Sequence, residues 1–159
     1  MITIEGANIQ GILKRIQDEI IFNSSELLDQ IGELVVFPSI IKNFEDEGRP
    51  RWADLTARTN RERKAQGYSE AHPILERTGD LKSSSTEKNG FPGGNYDLQK
   101  TVLTISNYLE KAPVLHFGDG LVPARPFFLL QDEDTKKADD VVKKYVDMKL
   151  EKIALQETR

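Results

Sequence analysis

The apolar residues of this chain change period twice, and that order limits the fold more than any other feature. Between residues 7 and 46 they recur at three- and four-residue steps. Ile9, Ile12, Leu13, Ile16, Ile20 and Ile21 form one stripe, and Leu27, Leu28, Ile31, Leu34 and Val35 form the next. Such spacing lines one face of a helix. Asn23-Ser24-Ser25 interrupts the stripes, and either serine can cap a new helix. Pro38 has no amide proton and crowds the preceding turn, so it predicts a kink or a restart before Ile40, Ile41 and Phe44.

The centre, residues 75–130, reads as β. Thr101 to Ser106 alternates β-branched and apolar residues, the pattern of a strand. Ser83 to Lys88 and Pro113 to Phe117 are weaker strand candidates. Asn89 to Asn95, with its Gly90-Phe91-Pro92-Gly93-Gly94 run, reads as a loop tip. Arg125 to Leu130 is an edge strand or a packed extended segment. From 132 to 156 the helical period returns, in Ala138, Val141, Val142, Tyr145, Val146, Leu150 and Ile153. Lys136, Lys137, Lys143, Lys144, Lys149 and Lys152 fall mainly outside that stripe, and Asp132 or Asp134 can cap the helix. Helices, then strands, then a helix predict α+β rather than alternating α/β. The expected architecture is a small antiparallel β-sheet packed against N-terminal and C-terminal amphipathic helices, as one domain over 1–159.

A chain of 159 residues buries roughly 70% of its unfolded surface and needs no staple. It has no cysteine, which excludes disulfides, thiolate metal sites and cysteine nucleophiles. His72 and His116 are its two histidines, so histidine-based metal chemistry is not expected. No cofactor is expected either. Net charge is -4, without a global nucleic-acid footprint. The first residues lack the basic region and continuous apolar core of a signal peptide, and no apolar run approaches a membrane span of ~20 residues. The expectation is a soluble protein beginning at its own methionine.

Residues 48–73 form an irregular basic loop, with a short helix plausible from Thr56 to Ala65. Between 49 and 64, Arg49, Arg51, Arg58, Arg61, Arg63 and Lys64 oppose Asp54 and Glu62, a local charge of +4. Such a run is either a solvated face or a surface for phosphates or an acidic partner. Trp52 is an anchor for the loop or an interface hot spot. The chain carries no P-loop, dinucleotide fingerprint, G-x-S-x-G elbow or H-E-x-x-H pair. His116 reads as a packed ring with one nitrogen on a backbone partner, or as a subunit contact. A hydrolase using His116 with a distant carboxylate is the enzymatic alternative. His72, before Pro73, reads as exposed loop.

Four segments in order resemble a known family. They are Phe44 with Gly48-Arg49-Pro50-Arg51-Trp52, Leu55 and Thr59; Pro73-Ile74-Leu75 leading to Thr78-Gly79-Asp80-Leu81-Lys82-Ser83-Ser84; Tyr108 with His116-Phe117-Gly118; and Val122-Pro123-Ala124-Arg125-Pro126-Phe127. Together they resemble the phage virion morphogenesis family, the Mu-type G-like tail completion proteins, over about residues 27–150. The resemblance implies a structural virion protein without enzymatic activity. It implies a homo-oligomeric ring, a hexamer favoured, that meets the tail tube and the neck or connector proteins at the head–tail junction. Such a protein is assembled in the host cytoplasm and resides in the virion. The alternatives are a head-completion or neck adaptor subunit, or a DNA-contacting accessory protein using residues 49–64. A ring lumen would also admit non-specific DNA contact. The candidate interface residues are Arg49, Arg51, Trp52, Arg58, Arg61, Arg63, His116, Arg125 and Phe127.

Overall fold

The computed structural model describes Asp18 and residues 24–69, 73–88, 93–99 and 101–157. His72, residues 89–92 of the expected loop tip, and the expected helix before Ser24 (Asp18, which is helical, aside) lie outside the described residues, and the Gly94 and Asn95 end of that expected tip is strand instead. The described elements are α1 (Ser24–Ile31), a π turn (Gly32–Val36), α2 (Phe37–Glu45), α3 (Ala57–Ala65), α4 (Asp80–Thr86), β1 (Gly94–Leu98), β2 (Leu103–Asn107), α5 (Ala112–Phe117) and α6 (Asp132–Glu157). The fold is α+β, with one small antiparallel sheet among helices.

Pro38 produces the restart its chemistry demands. It sits in the first turn of α2 and cannot donate to the turn before it. The preceding backbone widens, and the amide of Phe37 reaches back five residues to the carbonyl of Gly32. That π turn lies against the sheet. A Cβ on Gly32 would meet Leu103 Cδ2 and Tyr96 Oη, each at 2.9 Å, so a larger residue there would have to push those side-chain ends aside.

The sheet pairs β1 with β2 from Gly94 opposite Asn107 to Leu98 opposite Leu103. The strand expected over Thr101 to Ser106 is thus found, shifted to 103–107. It is docked by Asn107, whose Nδ2 donates to Ser84 Oγ at 2.7 Å and Ser85 Oγ at 2.8 Å. Gly94 passes so close to the carbonyl of Ser84 that any side chain would strike backbone.

Two expected strands are helices. Ser83 to Lys88 belongs largely to α4, entered through Gly79 at φ +80. The hydroxyls of Ser85 and Thr86 donate to the carbonyls of Leu81 and Lys82, four residues back, which feeds their polarity into the helix. Pro113 to Phe117 is α5. Pro113 fits the first helical turn and Gly118, at φ +76, ends it, an arrangement that overrides the β-branched composition. Arg125 to Leu130 forms no strand and is the packed extended alternative.

The loop 48–73 contains the expected short helix. Thr56 caps α3, its hydroxyl accepting from the amide of Thr59 at 3.2 Å. The C-terminal helix runs to Glu157. Its capping differs from expectation. Asp134 acts from inside the first turn, its carboxylate accepting from the amide of Gln131 at 2.9 Å, the return half of a capping box. Lys149, expected outside the apolar stripe, is buried: its Nζ lies over the Tyr145 ring and bonds Glu26 of α1 at 3.1 Å.

The core gathers Ile40, Phe44, Trp52, Ile74, Leu81, Ala112 and Phe127. Phe44 is its pivot, with the Trp52 ring edge-on at 5.8 Å and the Phe127 ring at 5.7 Å. Replacing Phe44 by Ala removes the ring between those two partners. We expect a loss of about 3–5 kcal/mol, read by urea denaturation. A loss below about 1 kcal/mol would place the centre of the core elsewhere.

Candidate functional site

Of the six basic residues between 49 and 64, Arg49 and Arg63 are enclosed by the fold, while Arg51, Arg58, Arg61 and Lys64 are exposed. Arg49 is the clearest case. Its Nε donates to Asn43 Oδ1 at 2.9 Å, its Nη2 to the Ser39 carbonyl and hydroxyl at 2.9 and 2.8 Å, and its Nη1 to Glu133 at 2.6 Å. Asp134 stands 3.6 Å from Nη2. Asn43 is 0% exposed, and its Nδ2 donates to the carbonyls of Phe127 and Leu129 at 3.0 and 2.8 Å. Gln131 Nε2 closes the circuit on the carbonyl of Arg49 at 2.7 Å. The donors of Arg49, expected as an interface residue, are thus engaged by α2 and by the start of α6.

The other candidates divide in the same way. Trp52 is buried against Phe44, and its Nε1 donates to the Pro126 carbonyl at 3.3 Å, which makes it the loop anchor rather than an exposed hot spot. Phe127 is buried in the core, so its ring offers no free surface. Arg63 and Arg125 are also buried. Arg51 pairs with Glu47 at 3.1 Å and Arg58 with Glu62 at 2.8 Å. Arg61 is exposed and donates to the carbonyl of Ala57 at 3.3 Å, one turn back in α3.

His116 behaves as its packing reading predicts. Its ring meets Phe127 edge-on at 5.1 Å and Phe117 at 4.5 Å. Its Nδ1 accepts from the amide of Phe128 at 3.4 Å. Burial lowers its pKa, which favours the neutral ring.

The surface around His116 is apolar. Phe117, whose ring meets that of His116, is 76% exposed. One cavity of about 180 Å3 lies between β2, His116, Phe117 and Phe128. A second, of about 220 Å3, is lined by Val36, Leu103, Ile105, Phe128, Leu129 and Leu130, with Ile40 below. Ile105 and Phe128 line both, so the two form one continuous apolar strip. It follows the free edge of β2. Gln99 N donates to Val102 O, and Tyr108 N to Gly93 O, which sets the alternation of the ladder. The backbone groups of Leu103, Ile105 and Asn107 consequently turn away from β1. Among the described residues no strand pairs with that edge.

The sequence had exposed this strip only in part. The apolar run to Leu130 was visible, but its proximity to Ile105 and Leu103 depends on Asn43 holding the carbonyls of 127 and 129. No described helix is long and apolar enough to cross a membrane. No family model matches the chain, and neither does any curated protein or solved structure.

Asp134 ties this strip to α6. Burial raises its pKa, yet the Ser39 hydroxyl, the Gln131 amide and Lys137 outweigh that and hold the carboxyl below its usual range. A folded value below the unfolded one gives stability that is present above about pH 4 and lost as pH falls through the folded value. Asp134→Asn should lower stability by about 1–3 kcal/mol at pH 7. The gap to the parent protein should shrink near pH 3, measured by urea midpoints. An equal gap at both pH values would contradict this assignment.

Proposed function

We propose that this chain is a structural subunit of a tailed-phage virion that completes the tail at the head–tail junction by assembling into a ring, without an enzymatic role. The observation that carries the proposal is the apolar strip beside the edge of β2 with which no described strand pairs. Monomeric proteins rarely leave large aromatic and aliphatic groups together on the surface. A free strand edge next to them is a template for another chain, because backbone pairing supplies affinity and the flanking cavities accept alternate side chains.

A head-to-tail contact that places a different surface of one copy on this strip closes into a ring when the rotation per copy allows it. The neighbours in this reading are further copies, the tail tube and the neck or connector proteins. The family resemblance supplies the biological setting. Its segments also fall at the packing centre: Trp52 and Phe127 flank Phe44, and Gly79 starts α4. A neck adaptor would use the same strip. A DNA-contacting accessory role draws less support, because Arg49 and Arg63 are largely enclosed and Arg51 and Arg58 are paired with glutamates.

Mass photometry of the purified chain should show a closed oligomer at micromolar concentration. Phe117→Asp should shift it to the monomer, with the helical circular dichroism of the folded chain retained, since the ring is largely exposed. A parent protein that stays monomeric, alone and with tail tubes, would contradict the reading.

A further inference from the structure

A different concavity, of about 360 Å3, lies between α3, the residues after Pro73 and the 121–125 segment. Its charge is of one sign. Arg63, Arg77, Lys111 and Arg125 line it, and among the described residues no carboxylate does. Two of these cations are built into the protein, Arg63 at 8% exposure and Arg125 at 4%. Arg63 Nη1 donates to the carbonyl of Pro73 at 3.0 Å. Arg125 donates through Nε and Nη2 to the carbonyl of Ala53 at 3.1 and 3.0 Å. For Arg125 those bonds fix the guanidinium in place but supply no counter-charge. Arg77 makes no hydrogen bond or ion pair with any described residue. Lys111 has only a loose pairing, 3.8 Å from Asp80, whose carboxylate also accepts from Thr78.

Other features favour negative charge there as well. Thr56 and Thr59 line the cavity at the start of α3, whose dipole is positive at that end. Burial, and then repulsion from Arg63, lowers the pKa of Arg125; burial, and then Arg77, does the same to Arg63. Asp80 stands 3.8 Å from Lys111, while Arg77 and Arg125, which have no carboxylate partner among the described residues, gain from an anion that enters.

The remaining walls are aliphatic: Leu55, Leu75, Leu115, Leu121, Val122 and Pro123. They select the body that carries the charge. A bare phosphate or a nucleic-acid backbone keeps water about it and gains nothing from such walls. A carboxylate on an aliphatic body places its charge on the guanidiniums, which grip it through paired N–H groups, and its carbons on the leucines.

We propose that this cavity binds a carboxylate carried on an apolar body. In the assembly described above, whose reading this extends, that body is an acidic side chain flanked by aliphatic residues on a neighbouring protein. The same chemistry is offered by a free aliphatic acid. The cavity belongs to one copy of the chain, so its binding does not depend on ring formation.

Calorimetric titration of the full chain separates these cases. The probes are hexanoate, hexanamide, inorganic phosphate, and the capped tripeptides acetyl-Leu-Glu-Leu-amide and acetyl-Leu-Gln-Leu-amide. Hexanoate should bind and hexanamide should not. Arg77→Ala and Lys111→Ala, both at exposed positions, should each weaken binding by about tenfold, with the urea midpoint unchanged. Added salt should weaken it further. Binding of the glutamate tripeptide and not the glutamine one identifies a protein segment as the source, whereas binding of hexanoate alone identifies a free acid. Absence of binding by both carboxylates, or equal binding of phosphate and hexanoate, would overturn the proposal. A monomeric chain that still binds hexanoate would overturn the ring and leave the cavity standing.

Discussion

The buried junction between Asn43 and Arg49 is the constraint on which the other contacts depend. Neither side chain belongs to the apolar core, yet together they join α2, the basic loop, the 127–131 segment and α6. Asn43 is fully enclosed, and both ends of its amide are used. Arg49 supplies the charge that Glu133 and Asp134 face, and Ser39 donates to Asp134 from the other side. A buried polar group left without a partner costs about 1–3 kcal/mol, and more when charged. The members of this junction are therefore interdependent, and displacing one leaves others unpaired.

That junction determines what reaches the surface. Asn43 holds the carbonyls of Phe127 and Leu129, so Phe127 enters the core while Phe128, Leu129 and Leu130 border the open edge of β2. Arg125 is drawn inward by Ala53 and left at the wall of a cationic cavity. One short segment thus separates two surfaces of unlike chemistry, an apolar strip and a positive cavity. The chain's mild net negative charge hides that division.

The sequence disclosed the helices more fully than the sheet. Long stripes such as Val141, Tyr145 and Ile153 keep their period over many turns, and α6 follows them closely. Pro38 announced a restart because its missing amide acts locally. Short elements were less legible. In α5 the valine and leucine suggested a strand, while Pro113 ahead and Gly118 behind carried the decisive local signal. In α4 the serines look strand-like or loop-like until their hydroxyls bond the preceding turn. The fate of the basic loop was not legible at all. Charge counting gives +4, but the partners of Arg49 lie in α2 and at Glu133, 84 residues away. Only the fold brings them together. His116 was readable because its neighbours Phe117 and Phe127 are close in sequence.

In the proposed assembly the strip along β2 and α5 receives another copy, while the Asn43–Arg49 junction belongs to each copy alone. Hydrogen–deuterium exchange of the chain at two concentrations, below and above assembly, tests this most directly. Amides over 103–107 and 114–122 should gain protection with concentration, and those over 39–49 should be slow at both. Exchange over 103–107 and 114–122 that is independent of concentration, with protection appearing elsewhere or nowhere, would contradict the account.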